Sequence, residues 1–369
     1  MVTSNQIVII GAGIAGLTSG LCLAKQGFKV KIFEKTSELR EVGAGLQLSP
    51  NATFILKNLN LLDKCLDKAT QPKNINLIDG YTLKKLSALP IKKYTENHNL
   101  TPYLTIHRAD LQKILLEAVK QHSSITLKLG CLIEKATHPH HIYIAADGIW
   151  SSSRHDKAIF SGYAAWRFTI NKKDFELGQQ NDVYAYLGAK NHIIAYPICR
   201  GEKYNIVAIT PHKLLDKKWN IAGVKNNLIQ LFKNWNEDIS KVLSKVENYT
   251  LWPLYTMPSI KFIEQNRILV GDASHGFLPF AAQGAGMAIE DAAELSLALS
   301  SYKNDIDNAI NVYKNKRKKR LTKVKKRGDI NAIIYHSTGI ISIARNIILK
   351  HTNPMRLLNK LHWLYDYKI

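Results

Sequence analysis

Hydrophobic and polar positions change period along this chain, and the changes mark its elements. Residues 6–10 are a short β-branched run that breaks at "GAGIAG"; "LTSGLCLAKQG" then reads as a helix closing at Gly27, and "KVKIFEK" is extended again, ending in Glu34. Strand, tight turn, helix and strand therefore follow one another within about 30 residues. "PNATFILKNLNLLDKCLD" (50–67) predicts one amphipathic helix, and "IHRADLQKILLEAVK" (106–120) predicts a short extended lead and a helix capped by Asp110. "IYIAADGIWSSSR" (142–154) predicts a strand running into Asp147 and Gly148. From about residue 156 to 264 the texture becomes alternating, with "DVYAYLG", "HIIAYPIC" and "KYNIVAIT" as strands between Gly, Asn and Lys-rich turns, followed by helices at "NNLIQLFKNW" and "ISKVLSKV". "RILVGDASHG" returns to strand and turn, and from about 284 the pattern is mainly helical.

Composition narrows the picture. A chain of 369 residues, 46% of them hydrophobic, is long enough for two modest domains or one α/β body with an insert. The first residues lack the basic start and cleavage site of a signal peptide, and no 18-residue apolar stretch predicts a spanning helix. Cys22, Cys65, Cys131 and Cys199 are scattered, which argues against a disulfide framework or a zinc site and fits a reducing, cytoplasmic compartment. The formal charge of +22 raises nucleic acid or an anionic membrane as partners, but it is spread along the chain apart from "KNKRKKRLTKVKKR" (314–327). That run predicts a solvated helix face with Ile310, Tyr313, Leu321 and Val324 on the opposite side, and no nucleic-acid partner is expected. Peripheral membrane contact through the C-terminal helices stays open.

The glycine turn offers the first candidate chemistry. Gly11 allows the turn, Gly13 lets backbone N–H groups approach a pyrophosphate, and Gly16 lets the helix pack on the strand. The helix start, including Ala15, adds a favourable field for phosphates, and Glu34 is placed to accept hydrogen bonds from a ribose diol, with Lys35 beside it. Arg40 and "GAGLQLSPNA", with Gly45, form a second glycine-rich loop. Arg108 is either a phosphate or flavin contact or an exposed arginine near a helix start. A third loop, "GDASHGFLPFAAQGAGMAIEDAAEL" (271–295), repeats the design far downstream, which implies a larger cofactor than one phosphate turn can hold.

These motifs in order, GxGxxG with Glu34, "ADGIWSSSR" and "GDASHGFLPFAAQGAGMAIEDA", make the chain resemble the single-component FAD-dependent aromatic hydroxylases, in particular the salicylate and 3-hydroxybenzoate hydroxylase branch. The likeness covers essentially the full length. It implies an α/β fold: a Rossmann-like FAD-binding domain with an inserted β-sheet substrate domain and C-terminal helices. The FAD-binding parts fall at 1–72, 101–156 and 265–330, the substrate domain at 73–100 and 157–264, and a helical segment at 331–369. The first cradle then holds the ADP half of FAD and the second the ribityl and flavin half. Asp272 accepts from ribityl hydroxyls, while Gly284, Ala285 and Gly286 open a helix whose dipole favours negative charge on the reduced flavin. Pro279 lines the face where dioxygen adds, and Asp147 and Arg154 belong to a fingerprint associated with the FAD pyrophosphate and with NAD(P)H.

The resemblance also implies a reaction. NAD(P)H reduces FAD, dioxygen adds to give a flavin hydroperoxide, and its distal oxygen passes to a small, electron-rich aromatic substrate. His192 and Tyr196, four residues apart and so on one face of a strand, are either ring-activating residues or ordinary core packing. Against the pattern the resemblance implies, Ala145 replaces a usual glycine and the stretch after "ITLKLG" is shorter by a hairpin. His138, His140 and His141 fall in that stretch without a carboxylate or cysteine, so no metal site is assigned. A hydroxylase of ubiquinone precursors, an isoprenoid epoxidase and a non-hydroxylating flavin-binding regulator are the alternatives, and either a monomer or a homodimer fits.

Overall fold

The strand Ile7–Ile10 is buried along its whole length, as four consecutive apolar residues in the middle of a parallel sheet require. The structure, a computed structural model, describes residues 6–39, 45–133, 138, 141–178, 181–213, 221–246 and 248–369. A six-stranded sheet runs in the order Ile263–Glu264, Arg267–Leu269, Ile142–Ala145, Ile7–Ile10, Val30–Phe33, Ile125–Lys128, parallel except for the terminal hairpin. Three neighbouring parallel strands thus end side by side, and the chain leaves them at Gly11, at Ala146 and at Val270. Backbone bonds from Ala146 N–H to Ile10 O (2.8 Å) and from Val270 N–H to Ala145 O (3.1 Å) hold the exits together. The three sequence motifs are therefore brought to one edge of one sheet.

A second, eight-stranded sheet has the order Ile221–Ala222, Thr250–Thr256, Ile159–Asn171, Lys203–Pro211, His192–Ile198, Val183–Leu187, Ile75–Asp79, Lys85–Leu89. Strand alternation gives it two characters. One face buries Trp166, Phe168, Tyr184, Tyr204 and Ile206 with Leu228, Phe232, Ile239 and Val242 from the helices Lys225–Leu231 and Glu237–Ser244. The other presents Ala165, Arg167, Tyr196, Asn205, Val207 and Leu254 toward the first sheet. The ladder Gly45–Leu48 with Leu104–His107 lies at the junction, where the Gly45 N–H donates to Asn205 Oδ1 (2.8 Å).

Several local expectations change. The stretch 50–67 forms two helices, Pro50–Asn58 and Leu62–Leu66, because Asn60 takes a left-handed φ of 58° between them. The helix Arg108–Gln121 is capped by His107, whose Nδ1 accepts from the Ala109 N–H (3.2 Å), so Asp110 stands inside the first turn rather than at the cap. Helix Ile306–His336 runs unbroken through residue 330, placed above as a segment boundary. The basic run on that helix is only partly solvated: Tyr313, Leu321 and Val324 are buried as expected, but so are Arg317 (0% exposed) and Arg320.

Candidate active site

The first cradle follows directly from its glycines. Gly11 has φ 102°, and a Cβ there would lie 2.5 Å from the Ala146 carbonyl oxygen; the strand-to-helix turn closes only without a side chain. A Cβ on Gly16 would strike the Gly11 carbonyl, so the helix Ile14–Lys25 packs onto its own turn there. Gly13 differs: a Cβ would meet nothing within 4 Å, and the helix it begins has no side-chain cap. The free N–H groups of the first turn thus face open space. Glu34 closes the other side, accepting from the Ala12 N–H (2.8 Å) through Oε2 and from Thr36 (3.0 Å) through Oε1, while Lys35 is exposed beside it. Asp147 leads from the neighbouring strand, with Oδ2 held by the Ser152 N–H (3.1 Å) and Oδ1 buried without a hydrogen-bond partner among the described residues.

The second cradle touches the first. Gly271, with φ 59°, is wedged where a Cβ would come within 3.0 Å of Ala15 and 3.3 Å of Ala288. Asp272 is exposed just past its strand, at the start of the short helix Asp272–His275. The turn Pro279–Ala281 leads through Ala282, in the left-handed region, to the helix Gly284–Ser301, which also lacks a side-chain cap. Gly284 is exposed with nothing within 4 Å of its Cβ position, Ala285 is half-buried, and Gly286 is buried against Gln283 and Asn51. Arg154 stands beneath this turn with 1% exposure: it donates to the carbonyls of Ala273 (3.3 Å) and Ser274 (2.8 Å), to Ser259 and to both carboxylate oxygens of Asp156. Its guanidinium braces the loop from below. Arg40 lies outside the described residues.

A buried ion network, not foreseen from the sequence, fixes the second cradle. Asp291 accepts the Gly271 N–H (2.8 Å), contacts His275 Nε2 (2.6 Å) and receives Arg317 Nε (2.7 Å). Glu290 receives Arg317 Nη1 (2.5 Å), Arg320 Nη2 (2.8 Å) and Asn51 Nδ2 (2.7 Å). Burial alone would raise the Asp291 carboxyl, but His275 and Arg317 hold it below the usual carboxylate range. Arg320 also donates to the carbonyls of Trp363 (2.7 Å) and Leu364 (2.8 Å), tying the aromatic C-terminal stretch to the same helix. The clue in the sequence was the adjacent Glu290 and Asp291, with Glu294 a turn on, in a largely apolar helix, opposite arginines three apart.

Across from the cradles, the inner face of the eight-stranded sheet carries a few polar groups on an apolar wall. Tyr196 is 4% exposed and packs against Gly45, whose Cβ position lies 2.5 Å from its ring. Burial pushes the Tyr196 phenol well up, against a smaller pull from Arg167. His192, four residues along the strand, is 1% exposed, with Nδ1 2.8 Å from His336 Nε2. Burial, and secondarily His336, lowers the His192 pKa well below its ordinary value; burial lowers His336 to about 4. Tyr163 stacks on His336 and Phe280 packs edge-on to it, placing both histidines beside the Pro279 turn. Two donors on this face were missed by sequence reasoning. Arg167 lies over the Trp252 ring (5.0 Å), and among the described residues its buried Nε and the buried Nδ2 of Asn205 have no hydrogen-bond partner. Burial lowers the Arg167 pKa, Tyr196 offsets this in part, and Arg108 at the start of its helix lowers it further, so the two arginines are neighbours. Further off, the rings of His138 and His141 are 4.8 Å apart and His140 lies outside the described residues; among the described residues no group of three or more His, Cys, Asp or Glu is arranged to hold a metal ion.

Two open helix starts, joined at Ala15 and Gly271 and flanked by Glu34 and Asp272, suit a long dinucleotide. Comparison with known proteins decides the matter: the FAD binding domain family matches residues 4–131 and 134–327. The chain belongs to this family. It is an FAD-dependent monooxygenase of the aromatic hydroxylase type. It is 28% identical to 3-hydroxybenzoate 6-hydroxylase of Polaromonas naphthalenivorans, over 98% of this chain and 96% of that one. It is 29% identical to 3-amino-4-hydroxybenzoate 2-monooxygenase PtnB3 of Streptomyces platensis, over 87% and 86%. Among solved structures, Klebsiella pneumoniae HpxO complexed with FAD and uric acid superposes with a TM-score of 0.84 at 17% identity, covering 98% of this chain and 96% of that one. A salicylate hydroxylase substrate complex does so with 0.80 at 21%, covering 99% and 96%. For this FAD enzyme the open space at Gly13 and Gly284, the orphaned Asp147 Oδ1 and the exposed Asp272 fit the cofactor named by the family.

Proposed function

We propose that this monooxygenase hydroxylates a phenolic ring of the hydroxybenzoate kind, taking two electrons from NAD(P)H and one oxygen atom from dioxygen, the other oxygen leaving as water. The observation that carries this reading is the polar set Arg167, Asn205, Tyr196 and His192 on the apolar sheet face opposite the cradles. Bound FAD supplies the hydride acceptance and the dioxygen activation. The remaining work falls to this chain. Gly13 and the first turn of helix Ile14–Lys25 hold the pyrophosphate, Glu34 a ribose, and Asp272 a ribityl hydroxyl. The uncapped N-terminus of helix Gly284–Ser301 would favour negative charge on the bound cofactor.

On the substrate side, Val207, Leu254 and Phe280 exclude water. Arg167, paired with no carboxylate among the described residues, matches the carboxylate of a hydroxybenzoate, with the Asn205 amide as a second donor. Tyr196 stays protonated and donates. His192 is neutral near pH 7; its Nε2 takes up the phenol proton as the ring is attacked while its Nδ1–H passes to His336 Nε2, and half-buried His336 releases a proton toward solvent, so that neither imidazole keeps a charge. The relatives named above act on carboxylated phenols by their names, which supports the choice.

The test is a panel of hydroxybenzoates and uncharged phenols offered to the FAD-loaded enzyme with NADH or NADPH, scored for hydroxylated product. A hydroxybenzoate is expected to react with product matching NAD(P)H consumed. Arg167→Leu is expected to raise KM for the carboxylated substrate about 10–150-fold, the worth of one charged hydrogen bond, while uncharged phenols change little. Hydroxylation of none of the panel, or equal loss on charged and uncharged substrates, would overturn the proposal.

A further inference from the structure

The helix Gly339–His351 is docked with its polarity reversed. Its inward side carries Arg345, 8% exposed, with Nη1 donating to the Ile334 carbonyl (3.1 Å) and Nε to Asn346 Oδ1 (3.0 Å). Asn346 Nδ2 donates in turn to Asp79 Oδ2 (2.8 Å), and Leu349 packs into the cluster of Leu77, Leu86 and Leu187. The outward side is Ile340, Ile341, Ile343, Ala344, Ile347 and Ile348, which helical spacing places on one arc. Ile340 is 85% exposed and the other four isoleucines are 55–66% exposed. At full-length isoleucine surfaces this is about 600 Å² of nearly unbroken hydrocarbon, at or above the largest patch a monomer normally leaves in water. Ile330 and Ile333 add two further exposed isoleucines on the last turns of the preceding helix.

Cations lie on this helix and on the elements next to it. Lys350 and His351 close the helix, Lys84 and Lys85 lie on and beside the strand it packs against, and the Lys190 N–H bonds to the His336 carbonyl at the end of the preceding helix. Lys323, Lys325 and Lys326 are exposed about three turns before the end of the preceding helix, Lys323 over the Trp363 ring and Lys325 beside Asp329, and the whole chain carries a formal +22. A second copy would bring the same lysines against themselves. No single helix among the described residues is long and apolar enough to cross a membrane, and the helix meets its predecessor at a bend of 108°. At 13 residues it is about 20 Å long, too short for a hydrocarbon core of about 30 Å.

We propose that the isoleucine face of helix Gly339–His351, with its lysine fringe, docks this enzyme on the surface of an anionic phospholipid bilayer, the helix lying in the plane of the interface. The apolar arc enters the boundary between headgroups and acyl chains, and the lysines meet lipid phosphates.

The experiment is co-sedimentation of the FAD-loaded enzyme with phosphatidylcholine vesicles and with vesicles containing 30% phosphatidylglycerol, at low and at 0.5 M salt. Wild type is expected to bind the anionic vesicles at least 10-fold more tightly than the neutral ones, and to weaken with salt. An Ile343→Asn, Ile347→Asn, Ile348→Asn triple variant is expected to lose at least 30-fold in vesicle affinity while keeping its FAD content and melting temperature, since those side chains are more than half exposed. Absence of vesicle binding by wild type, or binding undiminished in the triple variant, overturns the proposal. So does a wild-type dimer that the triple variant converts to monomer without any vesicle binding, which would make the face a contact between copies.

Discussion

Replacing Gly13 and Gly11 one at a time separates what the first cradle does for the fold from what it does for the cofactor. Gly13 has φ −73° and ψ −175°, which alanine adopts freely, and its Cβ would meet no protein atom within 4 Å. Gly13→Ala should leave the stability of the cofactor-free protein within about 0.5 kcal/mol of wild type. Its methyl group occupies the approach to the free N–H groups of Ile14 and Ala15. Losing two charge-assisted hydrogen bonds to phosphate, at about 1.5–3 kcal/mol each, weakens FAD binding by about 3–6 kcal/mol, or 10²–10⁴ in Kd. Gly11→Ala acts the other way: a left-handed φ and a 2.5 Å clash with Ala146 O destabilise the protein itself by about 2–4 kcal/mol. Urea unfolding of the apoprotein measures the first quantity, and FAD fluorescence titration the second. A Gly13→Ala protein that binds FAD like wild type would refute the placement of the pyrophosphate, and a fully stable Gly11→Ala apoprotein would refute the packing argument.

Other parts of the account give further outcomes. Arg317→Met leaves Glu290 and Asp291 buried with fewer partners and should cost about 3–5 kcal/mol in urea unfolding; adding Glu290→Gln should recover part of it, and strict additivity would deny the coupling. His192 and His336 have folded-state pKa values below those of the unfolded chain, so the unfolded state binds more protons in acid. Their contribution is complete above about pH 6.5 and is lost as pH falls toward 4; His336→Phe should flatten the decline of the urea midpoint between pH 7 and 4.5, and an unchanged slope would contradict the burial of that imidazole.

The geometry of the candidate cradles was legible because it depends on local rules. Glycines that must lack a side chain, a strand before them and a helix after them sit close together in sequence, and the parallel sheet then sets the three turns side by side. The substrate wall was harder. Strand spacing put His192 and Tyr196 on one face, but Arg167 reaches that face from another strand and His336 from a helix 144 residues away in sequence, pairings that only the sheet order reveals. The basic run misled for a similar reason: residue type suggested solvent for Arg317 and Arg320, whereas two carboxylates of another helix draw them into the core. The cap at His107 was hidden because an imidazole nitrogen there takes the role that Asp110 suggested by type.

The most direct test of the central claim is turnover under ¹⁸O₂ with the FAD-loaded enzyme, NAD(P)H and the reactive hydroxybenzoate, followed by mass spectrometry of the product. One ¹⁸O atom in each hydroxylated product, with one NAD(P)H consumed, is the predicted result. Reductant consumed with all the label in hydrogen peroxide, or product oxygen drawn from water, would contradict it.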